Sequence, residues 1–501
     1  MIKASVLLDK HFAVGAVDDR LFGSFIEHLG RAVYGGIWEP GHPTADEQGF
    51  RRDVLELVRA LGVPVVRYPG GNFVSGYDWR DGIGPRENRP RRQEQAWASV
   101  EPNAIGVDEF ADWCRKAGTA PMMAVNLGTL GAEEARQEVE YCNHPGGTYW
   151  SDLRRKNGHA DPHAIKLWCL GNEMDGPWQI GHKNAVEYGR AALETAKVMK
   201  WADPTIEVVA CGSSNRDMPT FGQWERVVLE ECYDSVDYLS LHQYYGNRDG
   251  NLPNFLAQAM GMEHFIREVG AVCDYVKAVK RGKKDVKLSF DEWNVWFHSN
   301  DADSKQEPWQ VAPPLLEDRY DMADALVVGT MLNALLRNAD RVKVGCLAQL
   351  VNVIAPIMTT NGGPAWRQTI YWPFLQASAF GRGLSLGTVV DSPVYDAGSL
   401  GDTPYLDLSA VQSREGNEVT VFAVNRHLKQ GMELKLDLRG LGKATAVRQS
   451  VLRHDDLSAC NTQAAPDTVA PVELPEATVR GGQCTVRLPA ASWNVLRFSL
   501  S

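Results

Sequence analysis

Two acidic residues, Glu173 and Glu292, stand where short apolar runs stop. The first run covers residues 165–170, breaks at Gly171, and then presents Asn172 and Glu173 side by side. The second covers residues 286–290 and is followed by Asp291, Glu292 and Trp293. Each reads as a buried strand with an acid at its C-terminal end. Hydrolysis of a glycosidic bond needs two such carboxyls from two strands of one barrel, a protonated one at the leaving oxygen and an ionised one at the anomeric carbon. The apolar neighbours Trp168, Leu170 and Trp178 favour a neutral Glu173, the expected acid, and leave Glu292 as the expected nucleophile. Arg67 or nearby hydrogen-bond donors can keep Glu292 ionised, Tyr244 can orient it, and Asn172 can bond a hydroxyl beside the anomeric carbon.

These residues need a scaffold that brings distant strand ends together. From residue 21 the chain alternates. Strand-like runs at 21–28, 63–68, 121–126, 165–170, 207–211, 236–241, 286–290 and 342–347 are separated by segments of helical spacing. The helical segments include 51–61, 107–117, 131–142, 184–201 with Asn184 as its cap, 221–232, 263–279 and 318–338. Eight such units predict an α/β fold, a (β/α)8 TIM barrel over residues 18–380. An open doubly wound sheet is the competing architecture, weakened because no G-x-G-x-x-G follows the first strand.

After residue 380 helical spacing stops. Alternating runs at 405–411, 418–424, 433–438, 445–452, 483–488 and 493–500, with Gly416-Asn417 and Gly481-Gly482 as turns, predict an all-β sandwich domain over 381–501. Residues 1–17 also alternate and lack a partner in the barrel, so N-terminal strands are expected to complete that sandwich. The Pro/Thr/Ala-rich residues 462–475 read as a surface loop.

Collecting strand-end residues gives Glu27, His28, Arg67, Asn72, Asn126, Asn172, Glu173, His242, Tyr244, Asp291, Glu292, Gln349 and Asn352. Amides, carboxylates and a phenol suit a ligand covered in hydroxyls, each of which donates and accepts. The cationic cluster that a phosphate needs is missing. Each residue also has a plainer reading. A strand-end Glu is often a cap or loop residue, Arg67 is equally a structural ion-pair member, and Asp291 a structural hydrogen-bonding partner. His28, His242 and His298 read equally as satisfied core histidines. Trp97, Trp178, Trp296 and Trp309 fall in predicted loops, where an indole face can meet a sugar ring or simply pack. Glu173, His242, Asp291 and Glu292 could also gather Mg²⁺ or Mn²⁺ in a sugar isomerase, but nothing enforces ligand spacing. A non-catalytic sugar-binding or scaffold protein would have no need of both acids.

Composition narrows the classes further. A net charge of -11 argues against a nucleic-acid surface. Nine dispersed cysteines without a C-x-x-C pair read as reduced thiols of a cytoplasmic protein. Lys3, Asp9 and Lys10 interrupt any secretory h-region, and no apolar run approaches the ~18 residues of a membrane span.

Four segments carry a family resemblance: Gly-Gly-Asn-Phe at 70–73, Trp-Cys-Leu-Gly-Asn-Glu-Met-Asp-Gly-Pro-Trp at 168–178, Leu-His-Gln-Tyr-Tyr at 241–245 and Asp-Glu-Trp-Asn-Val-Trp at 291–296. Together they resemble glycoside hydrolase family 51, typically intracellular α-L-arabinofuranosidases, over nearly the whole chain. The resemblance implies a retaining, exo-acting α-L-arabinofuranosidase working by double displacement, with Glu173 as acid/base and Glu292 as nucleophile. It implies an arabinose pocket of Glu27, Asn72, Asn172, Tyr244 and Gln349. Arg67, His242, Trp97, Trp178 and Trp296 are expected in support from their strand-end and loop positions, and the resemblance does not itself carry over the tryptophans. It further implies arabinofuranosyl oligosaccharides as substrate, no metal or other cofactor, and a homo-oligomer, by resemblance a hexamer. A β-xylosidase or endo-β-glucanase on the same framework is the alternative, because the pocket varies more than the chemistry at the anomeric carbon.

Overall fold

The computed structural model describes residues 1–500. Eight strands close into a parallel barrel in chain order: Gly23–Phe25, Val65–Tyr68, Ala120–Val125, Leu167–Leu170, Glu207–Ala210, Tyr238–Tyr245, Lys287–Val295 and Val342–Leu347. The second, fourth and fifth are short and almost wholly buried, as expected where barrel interior and surrounding helices cover both faces of a strand. The intervening helices follow the sequence signals closely. Helix Ala185–Ala202 starts at Asn184, whose side chain accepts from the Val186 and Glu187 amides, while Glu187 returns a bond to the Asn184 amide. Helix Arg52–Leu61 stops at Gly62, in the left-handed conformation.

Two barrel strands run further than their apolar cores. The sixth continues through His242 and Tyr244, and the seventh through Asp291 and Glu292. The seventh strand also slips against the sixth, pairing Ser289 with Ser240 but Glu292 with His242, so it carries one extra residue. Strict alternation would send Asp291 and Glu292 to opposite faces. The bulge breaks it, and both carboxylates bond groups on the same sixth strand.

The C-terminal strands form one nine-stranded mixed sheet. The N-terminal strand Ile2–Ala16 is inserted in it, parallel to Met432–Gly440 and antiparallel to Gly383–Asp391. The sheet rolls around a single apolar core drawn from Val6, Leu408, Val421, Leu434, Val447, Val486 and Phe498. Its two edge strands, Val472–Thr478 and Gln483–Leu488, are consecutive in the chain. The two faces of the expected sandwich thus arise from one sheet curling on itself. The reading of residues 462–475 as loop fails at its end, because Val472–Thr478 is a strand. It is an exposed edge, which lacks the alternation that betrays half-buried strands, and the pairing skips past Pro475, which has no amide to donate. Gly383–Asp391 is a further strand outside the predicted runs, and it too has no clear alternation.

Helix Met322–Arg337 joins barrel to sheet and is buried along almost its whole length. A side chain at Gly329 would press into Trp493, with its Cβ 2.6 Å from the indole. At the same junction Asp407, buried, accepts from Asn333 Nδ2 at 2.7 Å and Arg426 Nη2 at 3.0 Å, and Arg337 Nη2 lies 3.2 Å away.

Candidate active site

A cavity of about 760 Å³ opens at the C-terminal ends of the barrel strands. Glu27, Asn72, Trp97, Glu173, Trp178, Tyr244, Glu292, Trp296 and Gln349 all line it. Asn172, Arg67 and His242 are buried behind this lining and hold it in place.

Glu173 sits on the turn after the fourth strand, at φ 45, a left-handed backbone uncommon for a residue with a side chain. Gly171, at φ 85, begins that turn. Trp178 Nε1 donates to Glu173 Oε2 at 2.7 Å, and His242 Nδ1 lies 2.9 Å from Oε1. Burial raises the Glu173 carboxyl above its ordinary range, against the pull of His242 and with help from the charge of Glu292.

Glu292 receives Arg67 Nη1 at 2.6 Å on Oε1 and the Tyr244 hydroxyl at 2.7 Å on Oε2. Arg67 donates its other Nη to Asn172 Oδ1 at 2.6 Å, so one guanidinium ties the nucleophile candidate to the residue preceding the acid candidate. One oxygen of Glu173, one of Glu292 and a ring nitrogen of His242 lie within 4.8 Å of one another. Each nitrogen of His242 faces a carboxylate, Nδ1 toward Glu173 and Nε2 toward Asp291.

Glu27 also lines the cavity. Its Oε1 accepts from the Phe73 amide at 2.9 Å and Trp97 Nε1 at 2.8 Å, and Gln349 Nε2 lies 3.4 Å from Oε2. Burial, partly offset by these donors, pushes the Glu27 carboxyl up to about 8. The Gly70-Gly71 pair explains itself here. A Cβ on Gly70 would lie 2.5 Å from Glu27 side-chain carbons, and one on Gly71 would crowd both Glu27 Oε2 at 3.1 Å and Glu292 Oε1 at 3.2 Å. Only glycine lets that loop pass so close to two carboxylates. Trp296 packs edge-on against Tyr244, ring centroids 5.4 Å apart, and Trp178 is 50% exposed at the rim.

Other members of the strand-end set serve the scaffold. His28 bonds Glu101 and the Tyr68 hydroxyl and stacks on Phe73. Asn126 collects the amides of Gly128, Thr129 and Leu130. Asn352 bonds the Arg31 carbonyl and Thr359. His298, which lies outside that set, bonds Asp324. Asp291 is a partner within the site, fully buried between Ser240 and His242. Sequence reasoning did not find Ser214, Asn215, Arg248, Asp249, Asn254 and Gln258, which also line the cavity. They lie on loops and on the flank of a short helix, where no periodicity marks them.

Comparison with known proteins agrees with this geometry. Residues 57–259 match the model of the alpha-L-arabinofuranosidase 1 domain, and residues 291–492 that of the alpha-L-arabinofuranosidase C-terminal domain. The chain is 58% identical to an intracellular exo-alpha-(1->5)-L-arabinofuranosidase of Halalkalibacterium halodurans, covering 99% of both chains. It is 57% identical to a protein of that name from Bacillus subtilis, again over 99% of each. Among solved structures, a family 51 alpha-L-arabinofuranosidase from Bifidobacterium longum superposes with a TM-score of 0.95 at 47% identity, covering 99% of this chain and 100% of that one. The barrel, the rolled sheet and the paired carboxyls, together with these matches along the full length, establish that the chain belongs to the α-L-arabinofuranosidases of glycoside hydrolase family 51.

Proposed function

We propose that the chain removes terminal α-L-arabinofuranosyl residues from α-1,5-linked arabino-oligosaccharides in the cytoplasm, with retention of configuration. The observation that carries this reading is the approach of Glu173 and Glu292 across one cavity, with their nearest oxygens within 4.8 Å. Oxygens that close favour the retaining arrangement, in which the carboxyl groups stand about 5–5.5 Å apart, over the ~6.5–9.5 Å that leaves room for an inverting water.

In this mechanism Glu173 protonates the departing oxygen while Glu292 attacks the anomeric carbon, forming an arabinosyl ester on Glu292. Glu173, now a carboxylate, takes a proton from water, which releases L-arabinose and restores both groups. Arg67 and Tyr244 hold the attacking carboxylate from both oxygens. Glu27, Asn72 and Gln349 present acceptors and donors to ring hydroxyls, and Trp178 and Trp296 offer apolar faces beside them. The names of the relatives support the 1,5 linkage and the intracellular setting. No helix among the described residues is long and apolar enough to cross a membrane. Assembly as a homo-oligomer, a hexamer, belongs to the same proposal and rests on the family resemblance.

Arabinobiose hydrolysis in the presence of methanol tests the reading. The 1,5-linked dimer should turn over faster than its 1,2- and 1,3-linked isomers and than xylobiose, and proton NMR should show methyl α-L-arabinofuranoside as the first glycoside formed. The β anomer would sink the double displacement, and preferred cleavage of xylobiose would change the substrate.

A further inference from the structure

His242 occupies a position that the two-carboxylate mechanism does not by itself require. Its Nδ1 lies 2.9 Å from Glu173 Oε1 and 3.6 Å from Glu292 Oε2, while Nε2 lies 3.1 Å from Asp291 Oδ1. Asp291 is itself anchored, accepting from Ser240 Oγ at 2.6 Å with Arg67 Nε 4.0 Å away. The imidazole is fully enclosed. The titratable and charged groups around it are Glu173 and Asp175 after the fourth strand, Asp291 and Glu292 on the seventh, Arg67 on the second and Tyr244 on its own strand. Acids thus outnumber cations around the ring.

A charge count over one turnover shows what a cation there does. Among Glu173, Glu292, Asp291, Arg67 and His242, Glu173 is neutral before reaction and the other four are charged, so these five sum to zero. In the arabinosyl-enzyme Glu292 is an uncharged ester, and Glu173 has surrendered its proton to the leaving group. The sum is again zero, but the negative charge has crossed from Glu292 to Glu173. Nδ1 is within reach of both positions.

We propose that His242 is a standing imidazolium, fixed by Asp291, that serves as the positioning counter-charge for both half-reactions: its Nδ1–H faces Glu292 while that carboxylate attacks and Glu173 once it is ionised. This rests on the roles given above to Glu173 and Glu292 and deepens them. Burial alone would make the ring less basic, but the charge of Glu292 and the bonds to Asp291 and Glu173 overcome it and push the imidazole up to about 10. Asp291, despite its own burial, is held below the usual carboxylate range by Arg67 and His242, which keeps the anchor ionised.

His242→Asn tests the idea, because its amide keeps an N–H near the place of Nδ1 and removes the charge. Loss of a cation disfavours every nearby carboxylate, so both limbs of the kcat/KM profile should move to higher pH, by about 1–3 units. A lower plateau with unmoved limbs would mean that the ring is only a hydrogen-bonding scaffold, and would overturn the proposal. A second measurement does not depend on activity or on the folding of a variant. Nitrogen-edited NMR of histidine-labelled wild type at pH 8 should show one enclosed imidazole with both ring nitrogens protonated, and its absence would equally overturn the proposal. If instead Glu292→Ala retained activity, the carboxylate roles would fall while the NMR result stood.

Discussion

Replacing Glu173 by alanine separates acid catalysis from everything else the site does. The substitution removes the acceptor of the Trp178 indole and the partner of His242, but touches neither Arg67 nor Tyr244, which hold Glu292. The nucleophile candidate therefore keeps both its bonds. General acid assistance is worth about 10²–10⁴ in rate, or ~2.7–5.5 kcal/mol of barrier. Arabinobiose, whose leaving group is a sugar alcohol, should lose that full factor in kcat/KM. The 4-nitrophenyl arabinofuranoside leaves as a stable phenolate and should keep most of its kcat/KM, while kcat falls because no base activates water. Stopped-flow absorbance should then show a burst of nitrophenolate followed by slow turnover. The vacated space borders the His242 ring, so azide should enter it, accelerate turnover and yield the α-arabinofuranosyl azide. Equal losses on both substrates, with no burst and no azide effect, would refute Glu173 as the acid/base.

Tyr244→Phe removes one hydrogen bond to an ionised carboxylate, worth about 1.5–3 kcal/mol, and should lower kcat/KM by roughly 10- to 150-fold with little change in melting temperature. A variant within threefold of wild type would show that Arg67 alone positions Glu292. Asp407→Ala strips the buried anion facing Arg337 and Arg426 at the barrel–sheet junction and should cost about 3–5 kcal/mol in chemical denaturation. Burial opposes ionisation of Asp407, but the two guanidiniums prevail and hold its carboxyl below the ordinary range. Its stabilisation is therefore complete above the unfolded carboxylate value, near pH 4, and is lost as pH falls through the lower folded value. Wild type should lose more stability than Asp407→Ala on acidification below pH 4, and parallel pH curves for the two would contradict the linkage.

Much of this protein was legible in its chain because the signals are local. Each barrel strand is an apolar run a few residues long and each helix carries its own spacing and caps, as at Asn184 and Gly62, so the alternation could be counted without coordinates. The acids at the ends of the fourth and seventh strands could be found because a barrel gathers such ends at one face. The amide before Glu173 and the indole after Glu292 needed only adjacency. What stayed hidden depends on contacts between distant segments. The bulge that turns Asp291 and Glu292 toward the same neighbouring strand exists only in the register against that strand. The guanidinium of Arg67 reaches a carboxylate 225 residues away, and the backbone amide of Glu27 reaches the side chain of Gln349 across 322. The exposed edge strand at Val472–Thr478 has no buried face and so no alternation to read. Residue types and spacing determined which chemistry the chain can attempt. Burial and register, which no local pattern encodes, decided that His242 meets three carboxylates and that Glu173 has an environment that favours holding a proton.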